Sequence, residues 1–275
     1  MIRRLALAAL ACALAHAATA GTYIAAESRD LRSAEASSRT HVLWLEGPNL
    51  RLEAEADEQS GIYRGDRDVV YWIDHRDKSY RPIDRASAEG LANGVSQANT
   101  AARRYIEMLP PAQREAARRM LDQTLGAPVA VSADLQVKTT GAKERIADLP
   151  CAVWEVRRGG ARRAEVCRAS FDAAKISDAS RASVQALVAT LRAVLPALAP
   201  EQLRQDGVDA LQAFASLDGV PLRVRLFEDG KPVWETHVTR IEAREPPATA
   251  FALPDGYARK LPVPMGGSAQ AAPAP

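Results

Sequence analysis

The sequence predicts an α+β fold: a curved antiparallel sheet, shaped as a half-barrel, with helical insertions packed over it. Three observations carry this expectation. Short strand-like runs separated by turn signals fill the region from Tyr23 to Ile83. Two long stretches, near residues 85–126 and 171–212, switch to helical periodicity. Strands resume after each of them, so strands bracket helices instead of alternating with them one for one.

The first strand covers Tyr23–Ala26, and Thr40–Glu46 is the second, ended by the turn signal Gly47-Pro48-Asn49. Leu50–Asp57 alternates. Leu50, Leu52, Ala54 and Ala56 face one way, while Arg51, Glu53, Glu55 and Asp57 face the other, the period-two pattern of a sheet with one wet face. Gly61–Gly65 is a short fourth strand. Asp68–Asp74 is apolar on both faces, with Val69, Tyr71 and Ile73 opposed to Val70 and Trp72. Such a strand is covered on both sides or lines a cavity. Asp74–Asp77 turns the chain into Lys78–Ile83, whose Pro82 restricts that end to an edge or a terminus.

Pro110-Pro111 splits the first helical stretch, and a proline can open the second helix because its missing N–H would be unpaired there. Strands at 132–140 and 142–148 are expected on either side of Gly141. Cys151–Arg157 and Ala161–Cys167 then flank Arg158-Gly159-Gly160. A three-residue hairpin loop prefers Gly at its last, left-handed position. That register sets Cys151 opposite Cys167 and Glu155 opposite Arg163, with Ala152, Trp154, Val156, Ala164 and Val166 on one face. In the second helical stretch Val184, Leu187, Val188, Leu191, Val194, Leu195 and Leu198 recur at helical spacing. Val220–Phe227 and Pro232–Ala243 are the last strands, joined at Asp229-Gly230. The Pro-, Gly- and Ala-rich tail 262–275 is expected to be disordered, leaving 21–261 as a single domain.

Residues 1–20 follow the grammar of a secretory signal peptide. Arg3 and Arg4 precede the apolar run Leu5–Ala15, and Ala18-Thr19-Ala20 supplies small residues for cleavage after Ala20. The protein is therefore expected in the periplasm or outside the cell. A lipoprotein anchored at Cys12 is the alternative, disfavoured because Ala9 stands where such signals carry a large aliphatic residue. No later apolar stretch is long enough to span a bilayer; Val184–Leu198 is broken by Arg192 and Pro196. The leader holds two of the 36 Lys and Arg residues and none of the 34 acids, so the remainder is formally neutral. That excludes the basic excess typical of a nucleic-acid partner. Outside the leader the only cysteines are Cys151 and Cys167, and an even count in an oxidising compartment predicts their disulfide.

Catalytic signatures are missing: there is no GxSxG elbow, P-loop, HExxH or CxxC, and no cofactor or metal is implied. His41 and His237 fall on separate strands, where half-exposed side chains are expected; a hydrolase-like enzyme would need one of them beside a carboxylate. His75 is expected in a solvated turn. Arg103, Arg104, Arg114, Arg118 and Arg119 are interleaved with Glu107, Glu115 and Asp122, a solvated helix face. Trp44, Trp72, Trp154 and Trp234 each fall in a strand. They are candidate ligand-binding residues of a partly unfilled concave face, with ordinary core packing as the alternative.

Several segments resemble an uncharacterised exported family, domain of unknown function 4412. They are Asn49-Leu-Arg-Leu-Glu-Ala-Glu55, Val69-Val-Tyr-Trp-Ile-Asp74, Lys78-Ser-Tyr80, and later Leu149-Pro-Cys-Ala-Val-Trp-Glu-Val156. Phe251-Ala-Leu-Pro-Asp-Gly-Tyr257 fits the Phe-x-x-Pro element that follows the last strand in proteins of this type. The resemblance implies a shape similar to periplasmic lipoprotein carriers of the LolA type, a half-open antiparallel barrel with helices over its mouth. The two helical insertions depart from that pattern. The expected function is an exported, envelope-associated and non-enzymatic protein binding lipid or another apolar ligand. A structural domain with a filled core is the competing expectation.

Overall fold

The computed structural model describes residues 21–32, 38–54, 58–125, 135–198 and 213–261. The leader, the tail, residues 55–57 of the alternating stretch, the start of the strand expected at 132–140, and residues 126 and 199–212 of the two helical stretches lie outside the described residues.

Twelve strands form one open sheet: β1 (Thr22–Asp30), β2 (Arg39–Glu46), β3 (Asn49–Ala54), β4 (Gln59–Arg64), β5 (Val69–Asp74), β6 (Ser79–Asp84), β7 (Leu135–Ile146), β8 (Leu149–Arg158), β9 (Ala161–Ala169), β10 (Val220–Glu228), β11 (Lys231–Ala243) and β12 (Ala258–Arg259). Their spatial order is β12-β6-β5-β4-β3-β2-β1-β11-β10-β9-β8-β7. All neighbours are antiparallel except β12 with β6, a short parallel pairing that the sequence pattern did not anticipate. The expected half-barrel curvature is present. Arg223 of β10 reaches Glu144 of β7 at 2.9 Å although two strands lie between them. Strands are spaced about 4.7–4.9 Å apart, so the pair closes only because this end of the sheet rolls up.

Three expectations for local structure are corrected. Gly141 does not separate two strands. β7 runs through it as a bulge between Thr139 and Lys143, where Gly141 takes φ 79° and Thr140 Oγ1 donates to the Val153 carbonyl. The hairpin loop has two residues, not three: Gly159 and Gly160 both have positive φ, and Arg158 faces Ala161. A bulge at Val156/Arg157 then adds a residue to β9, so Val153 faces Cys167 and Glu155 faces Glu165. The bulge restores the face that the shorter loop would have lost. Trp154 and Val156 still share a face with Val166 and Ala164, and Cys151 is bridged to Cys167. The second helical stretch starts late, because Ser170–Ile176 forms turns in which Ala174 N donates to Ser170 O and Ile176 N to Phe171 O.

The helices are α1 (Arg85–Met108), α2 (Pro111–Leu125) and α3 (Asp178–Leu198). Asp84 caps α1 by accepting from Ser87 N at 2.6 Å, a bond that holds its carboxyl below the usual range. α3 lies over the sheet, against β2 and β3; α1 bears on α3 and on β6, and α2 on α1. Three contacts fix α3. Ser180 Oγ donates to Gly47 O, Arg181 pairs with Asp218 at 2.8 Å, and Thr190 donates to Asp68 at 3.4 Å. Asp68 also accepts from the Tyr63 hydroxyl at 3.0 Å. Burial, then that bond, pushes the Tyr63 hydroxyl up to about 12.

The doubly apolar strand β5 is covered on both sides. Val70 joins the core that contains Ile24, Leu45, Leu50, Leu222 and Val238. Ile73, with Ile62, is fully buried on the other face. The C-terminal segment crosses there: Arg51 donates to Ala250 O at 2.8 Å and Arg64 to Phe251 O at 3.3 Å. His75 sits in the β5–β6 turn, as expected, but is half-buried there and fastens this strap instead of facing solvent. One ring nitrogen bonds Ser60 Oγ at 2.9 Å and the other the Tyr257 hydroxyl at 3.0 Å.

Candidate functional site

The central strand β1 sets the site. Its alternate residues Ile24, Ala26 and Ser28 lie opposite Leu43, His41 and Arg39 of β2, and Ala26 and Ser28 lie opposite Val238 and Thr236 of β11. Two small side chains in the middle of the sheet leave volume that longer ones would fill. The result is a cavity of about 380 Å³. Its floor is Ile24, Ala26, Leu43, Leu45, Leu222, Val224 and Val238; Phe171, Ile176, Val184 and Phe214 also line it. Its polar groups are few. Ser28 and Thr236 bond each other at 2.8 Å, and Thr236 also accepts from Trp234 Nε1 at 3.1 Å. Among the described residues His41 is the one titratable side chain in the wall. Leu52, expected to face the core, also lines the cavity and stays 52% exposed, which places it at an opening.

A second apolar cavity of about 280 Å³ adjoins the first, sharing Phe214, Pro221 and Val224 with it. Val156, Ala164, Val166, Leu226 and Val233 line it, with Arg163 and Glu228 the charged members. A third, of about 210 Å³, lies between α3 and residues 214–219 and is more polar, with Gln185, Arg192 and Asp218 in its wall.

None of the four tryptophans lines these three cavities. Trp44 is buried on the opposite side of β2 from Leu43 and Leu45, edge-on to Tyr23 at 4.7 Å and beneath Arg244. Trp72 faces Gly61 and Arg81 across the sheet. Trp154 packs under Arg168, and Trp234 reaches the cavity only through its bond to Thr236. His41 and His237 do not converge. Ala26 faces both His41 and Val238, whereas Glu27 faces His237, so the two histidines stand on opposite faces. Among the described residues no cluster of His, Cys, Asp or Glu could hold a metal ion, and no helix is long and apolar enough to cross a membrane.

The sequence pattern missed Phe214, Ala26 and Ser28. The strand expected at Tyr23–Ala26 continues to Asp30 in the structure, and the second small residue, Ser28, lies in that continuation. Phe214 lies just beyond the helical stretch, and no periodicity marks it.

On the other face a ladder of charges spans β7 to β11. Glu144 pairs with Arg223, Arg223 with Glu165, Glu165 with Arg225, and Arg225 with Glu235. Arg162 joins Glu165 to Glu155, which also binds Arg157. Arg223 and Glu165 are only 14% and 13% exposed, shielded within their own ion pairs. Arg223 holds the Glu144 carboxyl below its usual range, and Arg157 does the same for Glu155.

No protein-family model matches the chain, and no curated protein sequence matches it. Solved structures with distant similarity include PNGF-II, at 8% identity and TM-score 0.39, over 88% of this chain and 31% of that one. The MucA/MucB complex of Pseudomonas aeruginosa is similar at 12% identity and TM-score 0.36, over 84% of this chain and 54% of that one. A LolA superfamily protein from Nitrosomonas europaea is similar at 9% identity and TM-score 0.30, over 85% and 90%. The chain thus spans under a third of PNGF-II and about half of the MucB chain.

Proposed function

We propose that this is an exported, envelope-associated protein that binds an apolar ligand of lipid type without transforming it. The observation that carries the reading is the cavity of about 380 Å³ over Ala26 and Ser28. Ligand sites are typically concave, about 300–1,000 Å³, mostly apolar, and supplied with a few polar groups. This cavity has that character, with Ser28 and Thr236 satisfied by each other. The leader supports export, and the disulfide Cys151–Cys167 accords with an oxidising compartment. A filled-core structural domain is the weaker reading because of that volume. The hydrolase reading is weaker still: among the described residues no carboxylate lines the cavity beside His41, and His237 stands on the face away from it.

The test is a titration of protein lacking residues 1–20 with the neutral apolar fluorophore N-phenyl-1-naphthylamine. Saturable one-to-one binding, weakened about tenfold by Ala26→Leu, is expected. Unsaturable partitioning that Ala26→Leu leaves unchanged would favour the filled core.

A further inference from the structure

Phe214 borders all three cavities, and no other residue does. It belongs to a short helical turn closed by Leu217 N donating to Phe214 O at 3.1 Å, so its backbone is fixed while its ring stays half-buried. Phe214 therefore stands, with Phe171, Val184 and Gly219, between the inner apolar cavity and the opening under α3. That opening has a sign. Asp218 is in its wall, but Arg181 grips both carboxylate oxygens at 2.8 Å and Gln185 approaches one at 3.5 Å. Its charge is thereby offset. Arg192, exposed on α3, lines the same opening and, among the described residues, leaves its wall net positive. The inner cavity offers a ligand no comparable charge, since among the described residues His41 is its one titratable group.

We propose that the site takes an anionic amphiphile, its alkyl chain passing Phe214 into the sheet cavity and its head group held at Arg192. This rests on the apolar-binder reading and names the ligand class. The shared chemistry is a carboxylate or phosphate on a linear chain. A cation at the rim selects the head, and an aromatic ring at the passage selects a chain narrow enough to slip by it. Phe214 and Arg192 are then specificity-determining residues.

The experiment displaces bound N-phenyl-1-naphthylamine with dodecanoate, dodecyl phosphate and 1-dodecanol, each below its micelle-forming concentration. Wild type should bind the anions about fivefold more tightly than the alcohol, the size expected of one exposed ion pair, and the preference should shrink as salt is added. Arg192→Ala should abolish it without altering dodecanol affinity; Arg192→Lys should retain most of it. The anion that binds more tightly identifies the head group. Phe214→Trp should slow association of all three by narrowing the passage. If dodecanol binds saturably but the anions are not preferred, or the preference survives Arg192→Ala, the head-group assignment is overturned and the apolar-binder reading stands. If neither the fluorophore nor dodecanol binds saturably, both fall together.

Discussion

Cys151 is bridged to Cys167 although Cys167 lies opposite Val153, two residues further along β8. The bridge runs diagonally across the hairpin, with the two Cα atoms 5.4 Å apart. A two-residue glycine turn alone would put the cysteines on opposite faces; the bulge next to it brings them back. Closing a loop of this length is worth about 3 kcal/mol in the chain-entropy account. Cys151→Ala/Cys167→Ala protein should therefore lose about that much in urea denaturation. A loss below about 1 kcal/mol would mean that packing alone holds the hairpin.

The charge ladder predicts a pH dependence. Glu144 and Glu155 are held below the ordinary carboxylate range in the folded protein. Their contribution is fully present above the unfolded value, about 4.3, and is lost as pH falls through the lower folded values. The urea midpoint should be flat from neutral pH to about 5 and then decline. Arg223→Ala should cost about 1–2 kcal/mol at neutral pH, since it strands Glu144 and Glu165 without their shared partner, and should flatten the acid decline. An unchanged acid profile in Arg223→Ala would contradict the assignment.

The strap over β5 should loosen when its aromatic fastening is removed. Tyr257→Ala removes the bond to His75 and the ring contact at 5.8 Å. The Ala258 and Lys260 amides, which donate to Lys78 O and Tyr80 O, should then exchange at least tenfold faster. The Val238 amide, in the central sheet, should not. Equal acceleration at all three would indicate global destabilisation and count against a separate strap.

Gly219 must lack a side chain. A Cβ there would lie 2.3 Å from the Ala169 carbonyl oxygen, at the start of β10. Gly219→Ala should cost about 1–3 kcal/mol in thermal or urea denaturation, as overpacking does. A neutral result would show that β9 and β10 can part at this end.

Much of the strand framework was legible because alternation and turn residues are local signals. Leu50–Ala54, Val69–Asp74 and Asp229-Gly230 each mark their own structure. What the sequence concealed depends on contacts between distant segments. The bulge at Val156/Arg157 falls in a hairpin whose strand β9 also pairs with β10, some fifty residues on. The covering of Ile62 and Ile73 needs a strap nearly two hundred residues away, held by the bonds of Arg51 to Ala250, Arg64 to Phe251 and His75 to Tyr257. The site was hidden for the same reason. Tryptophans draw the eye as ligand contacts, yet the cavity exists where side chains are small, at Ala26 and Ser28, and Phe214, part of its dividing wall, comes from a segment with no pattern of its own.

The central claim is that the volume over Ala26 and Ser28 holds an apolar chain, and photo-crosslinking tests it most directly. Protein lacking residues 1–20 would be irradiated with a long-chain alcohol carrying a terminal diazirine, then digested and mapped by mass spectrometry. Adducts should fall on peptides containing Ala26, Leu43, Val184 and Leu222, and an excess of unlabelled dodecanol should suppress them. Adducts confined to the exposed Tyr105, Met108 and Met120 region of α1 and α2, or insensitive to dodecanol, would contradict the account.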